Sequence, residues 1–137
     1  MEFKQLLASA SKWQLVGSRV TCNPPPKDTD QDVLVFIHGG KAEEFVGLME
    51  DAGFVVELGD GYAADALNVG LKGRFQSYRH GNVNLIVTID EKFYKRFVAA
   101  TTVAKRFNLL SKDDRIALFQ AVLYGNECED SNEIPFG

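Results

Sequence analysis

Apolar positions recur along this chain with two periods, and the changes between them predict its elements. Phe3, Leu6, Leu7 and Ala10 share one face at helical spacing, so 2–11 reads as a helix. Residues 13–16 read as a short buried strand ending at Gly17-Ser18. A loop is expected over 21–29, because Pro24, Pro25 and Pro26 cannot sit inside a helix. Val33 to Ile37 is apolar without alternation, the pattern of a strand buried on both faces, and 31–37 is assigned to it. His38-Gly39-Gly40 ends that strand. Phe45, Leu48 and Met49 mark a helix over 41–51, stopped by Gly53, and a short strand follows over 54–58. Residues 59–73 hold Gly59, Gly61, Gly70 and Gly73 and show no clear period, with room for a short helix over 62–69. Strands over 74–79 and 83–89 meet at a His80-Gly81-Asn82 turn. Asp90 is a good N-cap for a helix to about Phe107, striped by Phe93, Phe97, Ala100 and Ala104. Ser111 opens a last helix through Ile116, Phe119, Gln120 and Leu123, expected to stop at Gly125. The sum is an α/β (α+β) fold, a mixed sheet flanked by helices in one domain over 1–125. Residues 126–137 read as an acidic, aperiodic, loose tail.

Composition narrows the class without naming a function. With 137 residues, 45% hydrophobic and 25% charged, the chain suits one ordinary core. A net charge of −4 argues against broad electrostatic capture of nucleic acid. Cys22 and Cys128 form no framework pattern and fit a reducing cytoplasm. No apolar run is long enough for a membrane, and the first residues lack a signal-peptide core, so a cytoplasmic location is expected.

The chemistry is concentrated in 17–37. A tight Gly17-Ser18 turn can present backbone N–H groups and a hydroxyl to a phosphate. After eleven intervening residues, Asp30-Gln31-Asp32 opens the apolar strand. Carboxylates at i and i+2 of a strand point to one side and offer oxygens to a hard cation such as Mg²⁺. Arg19 and Lys27 flank the phosphate turn and could pair with a triphosphate. Arg79 and Ser77 alternate with Tyr78 and share a strand face. His38 and His80 sit beside glycines without metal-ligand spacing and read as turn residues.

Gly17-Ser18, a loop, and then Asp30-x-Asp32 opening a strand resembles the signature of the DNA polymerase β-like nucleotidyltransferase superfamily. The whole chain is also similar to small phage-encoded nucleotidyltransferase proteins, which would place it in a host cytoplasm. The resemblance implies that Gly17 and Ser18 hold the β- and γ-phosphates of an NTP and that Asp30 and Asp32 bind Mg²⁺, with a two-metal site conceivable. In that superfamily a third carboxylate lies on a later strand in a V-D-h pattern, and the matching stretch here is Val83-Asn84-Leu85. Asn84 thus joins Asp30 and Asp32 as a catalytic candidate. An asparagine offers a neutral oxygen to a cation but cannot act as a general base. Asp90 lies about 20 Å further along the strand direction, too far to substitute, whereas Asp65 could reach in from the glycine-rich stretch.

Three functions follow as expectations. One is an Mg²⁺-dependent nucleotidyltransferase acting on an RNA end, a protein (including a toxin) or a small molecule. Another is a weakened or inactive relative that binds a nucleotide or a host protein, which Asn84 favours. The last is an interaction protein with an accidental D-x-D.

Overall fold

The computed structural model describes residues 2–27, 30–57 and 75–132, with side chains described as far as Leu123. Asp65 and the expected 62–69 helix lie outside the described residues.

Four helices and five strands come directly from the patterning. Helix α1 (Phe3–Ala8) buries Leu6 and Leu7. Strand β1 (Lys12–Val16) leads into a one-turn helix, α2 (Ser18–Thr21), where the sequence suggested only a turn and a loop. Strand β2 (Gln31–Phe36) passes through a short 3₁₀ turn into α3 (Ala42–Asp51), which buries Phe45 and Met49. Strand β3 (Val55–Glu57) is short. Strands β4 (Gln76–His80) and β5 (Val83–Thr88) form a hairpin in which His80 pairs with Val83. Its turn is therefore the two residues Gly81-Asn82, and Gly81 takes the positive φ of 61° that such a turn demands. Helix α4 (Glu91–Arg106) is capped by Asp90, whose side chain accepts from the N–H groups of Lys92 and Phe93. Helix α5 (Lys112–Asn132) follows the Ser111 cap, whose hydroxyl accepts from Asp114 N–H at 3.3 Å.

The expected stop at Gly125 does not occur, and α5 runs on to Asn132, through residues read as a loose tail. An interior glycine costs a helix about 1 kcal/mol, which weakens it without ending it.

The strands form one sheet in the order β1-β2-β5-β4-β3. β2 and β5 are parallel at its centre, and the other pairs are antiparallel. Central β2 is buried on both sides, as its unbroken apolar run predicts. Val33, Val35, Ile37 and Leu85 pack against α1 and α3, whereas Leu34, Phe36 and Ile86 pack against α4 and α5. Phe97 and Leu123 complete the second layer.

Strand β1 corrects the sequence reading. It was expected to be buried, yet Trp13 is 46% and Leu15 42% exposed, and only Val16 is buried. An apolar run does not reveal whether a strand lies at the centre or the edge, and β1 lies at the edge.

Candidate functional site

Antiparallel pairing of β1 with β2 sets Val16 opposite Asp32. The Gly17 turn at the end of β1 therefore meets the start of β2, although twelve residues separate Gly17 from Asp30 and Gln31 opens the strand. The approach is close. A Cβ built on Gly17 would lie 2.1 Å from Asp32 Oδ2 and 2.8 Å from its Cγ. Gly17 also has φ 83° and ψ −177°, a region open in practice only to glycine. The Gly of the Gly-Ser pair is thus required twice, by backbone conformation and by the carboxylate against it.

Parallel pairing of β2 with β5 sets Asp32 opposite Asn84, and antiparallel pairing of β5 with β4 sets Asn84 opposite Arg79. Residues opposite one another share a sheet face, so Asp32, Asn84 and Arg79 form a row on the α4–α5 side. Asn84 Nδ2 donates to Asp32 Oδ1 at 3.1 Å. Among the described residues, Asn84 Oδ1 is buried without a hydrogen-bond partner. A buried amide oxygen left unsatisfied costs about 1–3 kcal/mol, so this acceptor is suited to a ligand.

Asp30 lies just before β2, and its carboxylate turns to Arg79. Arg79 Nη1 donates to Asp30 Oδ2 at 2.7 Å. The same guanidinium forks onto Glu57 at the edge strand, with Nε to Oε2 at 2.5 Å and Nη2 to Oε1 at 3.1 Å. The hydrogen bond to Glu57 first, and then those to Asp30, raise the Arg79 pKa against the opposing effect of burial. Arg79 was legible as a face-sharing residue of β4, whereas nothing in the sequence singled out Glu57.

A cavity of about 160 Å³ opens beside this row. Gly17, Ser18 and Asp32 border it, Ile86, Phe97, Ile116 and Phe119 supply apolar wall, and Lys112 and Arg115 reach it from α5. Arg115 is fixed there, since its Nη1 donates to the carbonyls of Leu109 (2.9 Å) and Leu110 (2.8 Å) and contacts Cys22 Sγ at 3.1 Å. Asn23 and Asn108 exchange hydrogen bonds of 2.8 and 3.0 Å, tying the segment after α2 to the α4–α5 connection. Lys112 and Arg115 were missed, although the spacing Lys112, Arg115, Ile116, Phe119 places them on one helix face. Arg19 and Lys27, expected near the phosphate turn, are exposed and are not among the residues lining this cavity.

The residues present fit one hard cation better than two. Mg²⁺ commonly takes one or two protein carboxylates and fills its remaining positions with water and phosphate oxygens. Asp32 with the unpartnered oxygen of Asn84 meets that need, whereas Asp30 is held by Arg79. Among the described residues, no group of three or more His, Cys, Asp or Glu side chains is arranged to hold a metal. Among the described residues, too, no helix is long and apolar enough to cross a membrane.

No protein-family model matches the chain, and no curated protein matches it. The structure is similar to the crystal structure of conserved protein GrpB from Enterococcus faecalis, with a TM-score of 0.50 and 17% sequence identity over 93% of this chain and 84% of that one. Identity this low makes the likeness one of fold alone. What the sequence implied at that level is present, a five-stranded mixed sheet flanked by helices.

Proposed function

We propose that this chain is a nucleotide-binding protein on a nucleotidyltransferase-like fold, taking an NTP with one Mg²⁺, in which nucleotidyl transfer is curtailed. The observation that carries this reading is the Asp32–Asn84 pair against Gly17, with Arg79 holding the other aspartate. Asp32 and Asn84 Oδ1 would hold the ion, and when bound it would neutralise phosphate charge. Gly17 and Ser18 would border the phosphates, and Lys112 and Arg115 would supply positive charge across the cavity. Ile86, Phe97, Ile116 and Phe119 would exclude water from the inner wall. Among the described residues, the site lacks a base. Asn84 cannot accept a proton from an attacking hydroxyl, and Asp30 is tied in an ion pair.

The second reading is the Mg²⁺-dependent transferase itself, acting on an RNA, protein or small-molecule hydroxyl. It is favoured by the contact of the Asp32 carboxylate with the Gly17-Ser18 turn, which is how a phosphate and its cation would be brought together.

Calorimetric titration with each of the four NTPs, with and without Mg²⁺, tests both. Binding is expected to need Mg²⁺ and to be lost in Asp32→Ala. With α-labelled nucleotide and candidate acceptors, the natural protein is expected to give little product and Asn84→Asp more. Failure of every NTP to bind overturns both readings. Efficient transfer by the natural protein that falls in Asn84→Asp establishes the second over the first.

A further inference from the structure

We propose that the Arg79 guanidinium is a built-in cation standing in place of a second metal ion at this end of the sheet. The inference deepens the single-ion reading above and rests on it for the identity of the first ion.

The geometry carries it in three steps. First, Arg79 contacts two carboxylates from different parts of the chain, Asp30 before β2 and Glu57 on β3. Its contact with Glu57 is the bidentate fork in which an arginine matches a carboxylate best. Bridging two carboxylates from separate elements is what a divalent ion would do there. Second, strand register fixes the order of charge along the row. Asp32 is negative, Asn84 neutral and Arg79 positive, at directly opposed positions on neighbouring strands. The asparagine separates the carboxylate for the first ion from the guanidinium. Third, Arg79 already offsets one of the two carboxylates it bridges, so Asp30 and Glu57 together keep a net charge of only −1 for a second ion. A second would sit beside a guanidinium that does not lose its proton at any pH the protein survives.

Arg79 is therefore a positioning and specificity residue. It fixes the stoichiometry of metal binding without touching a nucleotide, and removing its charge should uncover a latent site at Asp30 and Glu57.

The test counts Mn²⁺ bound per chain by electron paramagnetic resonance, with Mn²⁺ as the only added ligand. Natural protein and Arg79→Gln are compared, each shown by circular dichroism to be folded. Arg79→Gln is expected to bind one more Mn²⁺ than the natural protein, and the gain is expected to vanish when Asp30→Asn is added. An equal count in the two folded proteins overturns the inference. A natural protein that binds none, beside an Arg79→Gln that binds one, sustains the role of Arg79 and overturns the single-ion reading instead. Should Arg79→Gln not fold, Arg79→Thr, a β-branched residue suited to a strand, removes the charge while leaving Asp30 and Glu57 both in place. That variant is expected to gain the same ion, and a folded Arg79→Thr protein without the gain overturns the inference.

Discussion

Replacing Gly17 by alanine tests the centre of the site. The new Cβ would fall 2.1 Å from Asp32 Oδ2, 2.8 Å from Cγ and 2.9 Å from Cβ, so the aspartate must move. Backbone strain at φ 83° and ψ −177° adds about 1–3 kcal/mol for a residue with a side chain. Moving Asp32 also gives up the 3.1 Å hydrogen bond from Asn84, a loss of about 1 kcal/mol or more in a partly buried place. The sum is about 3 kcal/mol, a large share of the roughly 5–15 kcal/mol that stabilises a domain. For a chain of this size that lowers Tm by about 10 °C. Thermal melting followed by circular dichroism measures the stability, and calorimetry measures Mg²⁺-dependent nucleotide binding, which is expected to be lost. Asp32→Ala on the same background removes the atoms at 2.1 and 2.8 Å but leaves the Cβ contact and the strain. About 1 kcal/mol of the loss is therefore expected to return, as coupling between touching residues. A Gly17→Ala protein melting within about 2 °C of the natural one would refute the packing argument.

Three more outcomes follow. Asn84→Asp sets a second carboxylate against Asp32 in place of a 3.1 Å hydrogen bond, so urea melts in chelator should show a loss of about 1–3 kcal/mol, largely restored by Mg²⁺; equal stability in both buffers would count against a cation between these residues. Phe97→Ala empties a fully buried place between Ile86 and Phe119 and should cost about 3–5 kcal/mol by urea melting, and a loss below 1 kcal/mol would mean that the α4–α5 layer is not packed as described. Burial raises the pKa of Tyr78, aided by Glu50, and that of Tyr94, opposed by Lys12. Their contribution is present below the unfolded value near 10 and is lost as pH rises through the higher folded values. Urea midpoints should therefore fall above about pH 10, and less steeply in Tyr94→Phe.

Much of the fold was legible because its strongest signals are local. The unbroken run Val33–Ile37 marks a strand covered on both faces, and Asp90 and Ser111 announce helix starts by offering a side-chain oxygen to the next turn. The spacing of Phe93, Phe97, Ala100 and Ala104 predicted a buried helix face, and all four are buried. Where the signal was one glycine, it misled. Gly125 was read as a stop, but an interior glycine only weakens a helix. The exposure of Trp13 and Leu15 was unreadable because burial of a strand depends on its place in the sheet.

The sequence by itself determined which groups this protein could bring together, a Gly-Ser turn, two aspartates two positions apart and an asparagine on a later strand. These are properties of residue type and short spacing, which survive in one dimension. Only the tertiary structure decided which groups meet. Pairing of β1 with β2 presses Gly17 on Asp32, the parallel β2–β5 register gives Asp32 to Asn84, and the β4 hairpin carries Arg79 to Asp30 and Glu57. Glu57, Lys112 and Arg115 enter from elements remote in sequence, because strand register and the approach of a packed helix are set by the whole core.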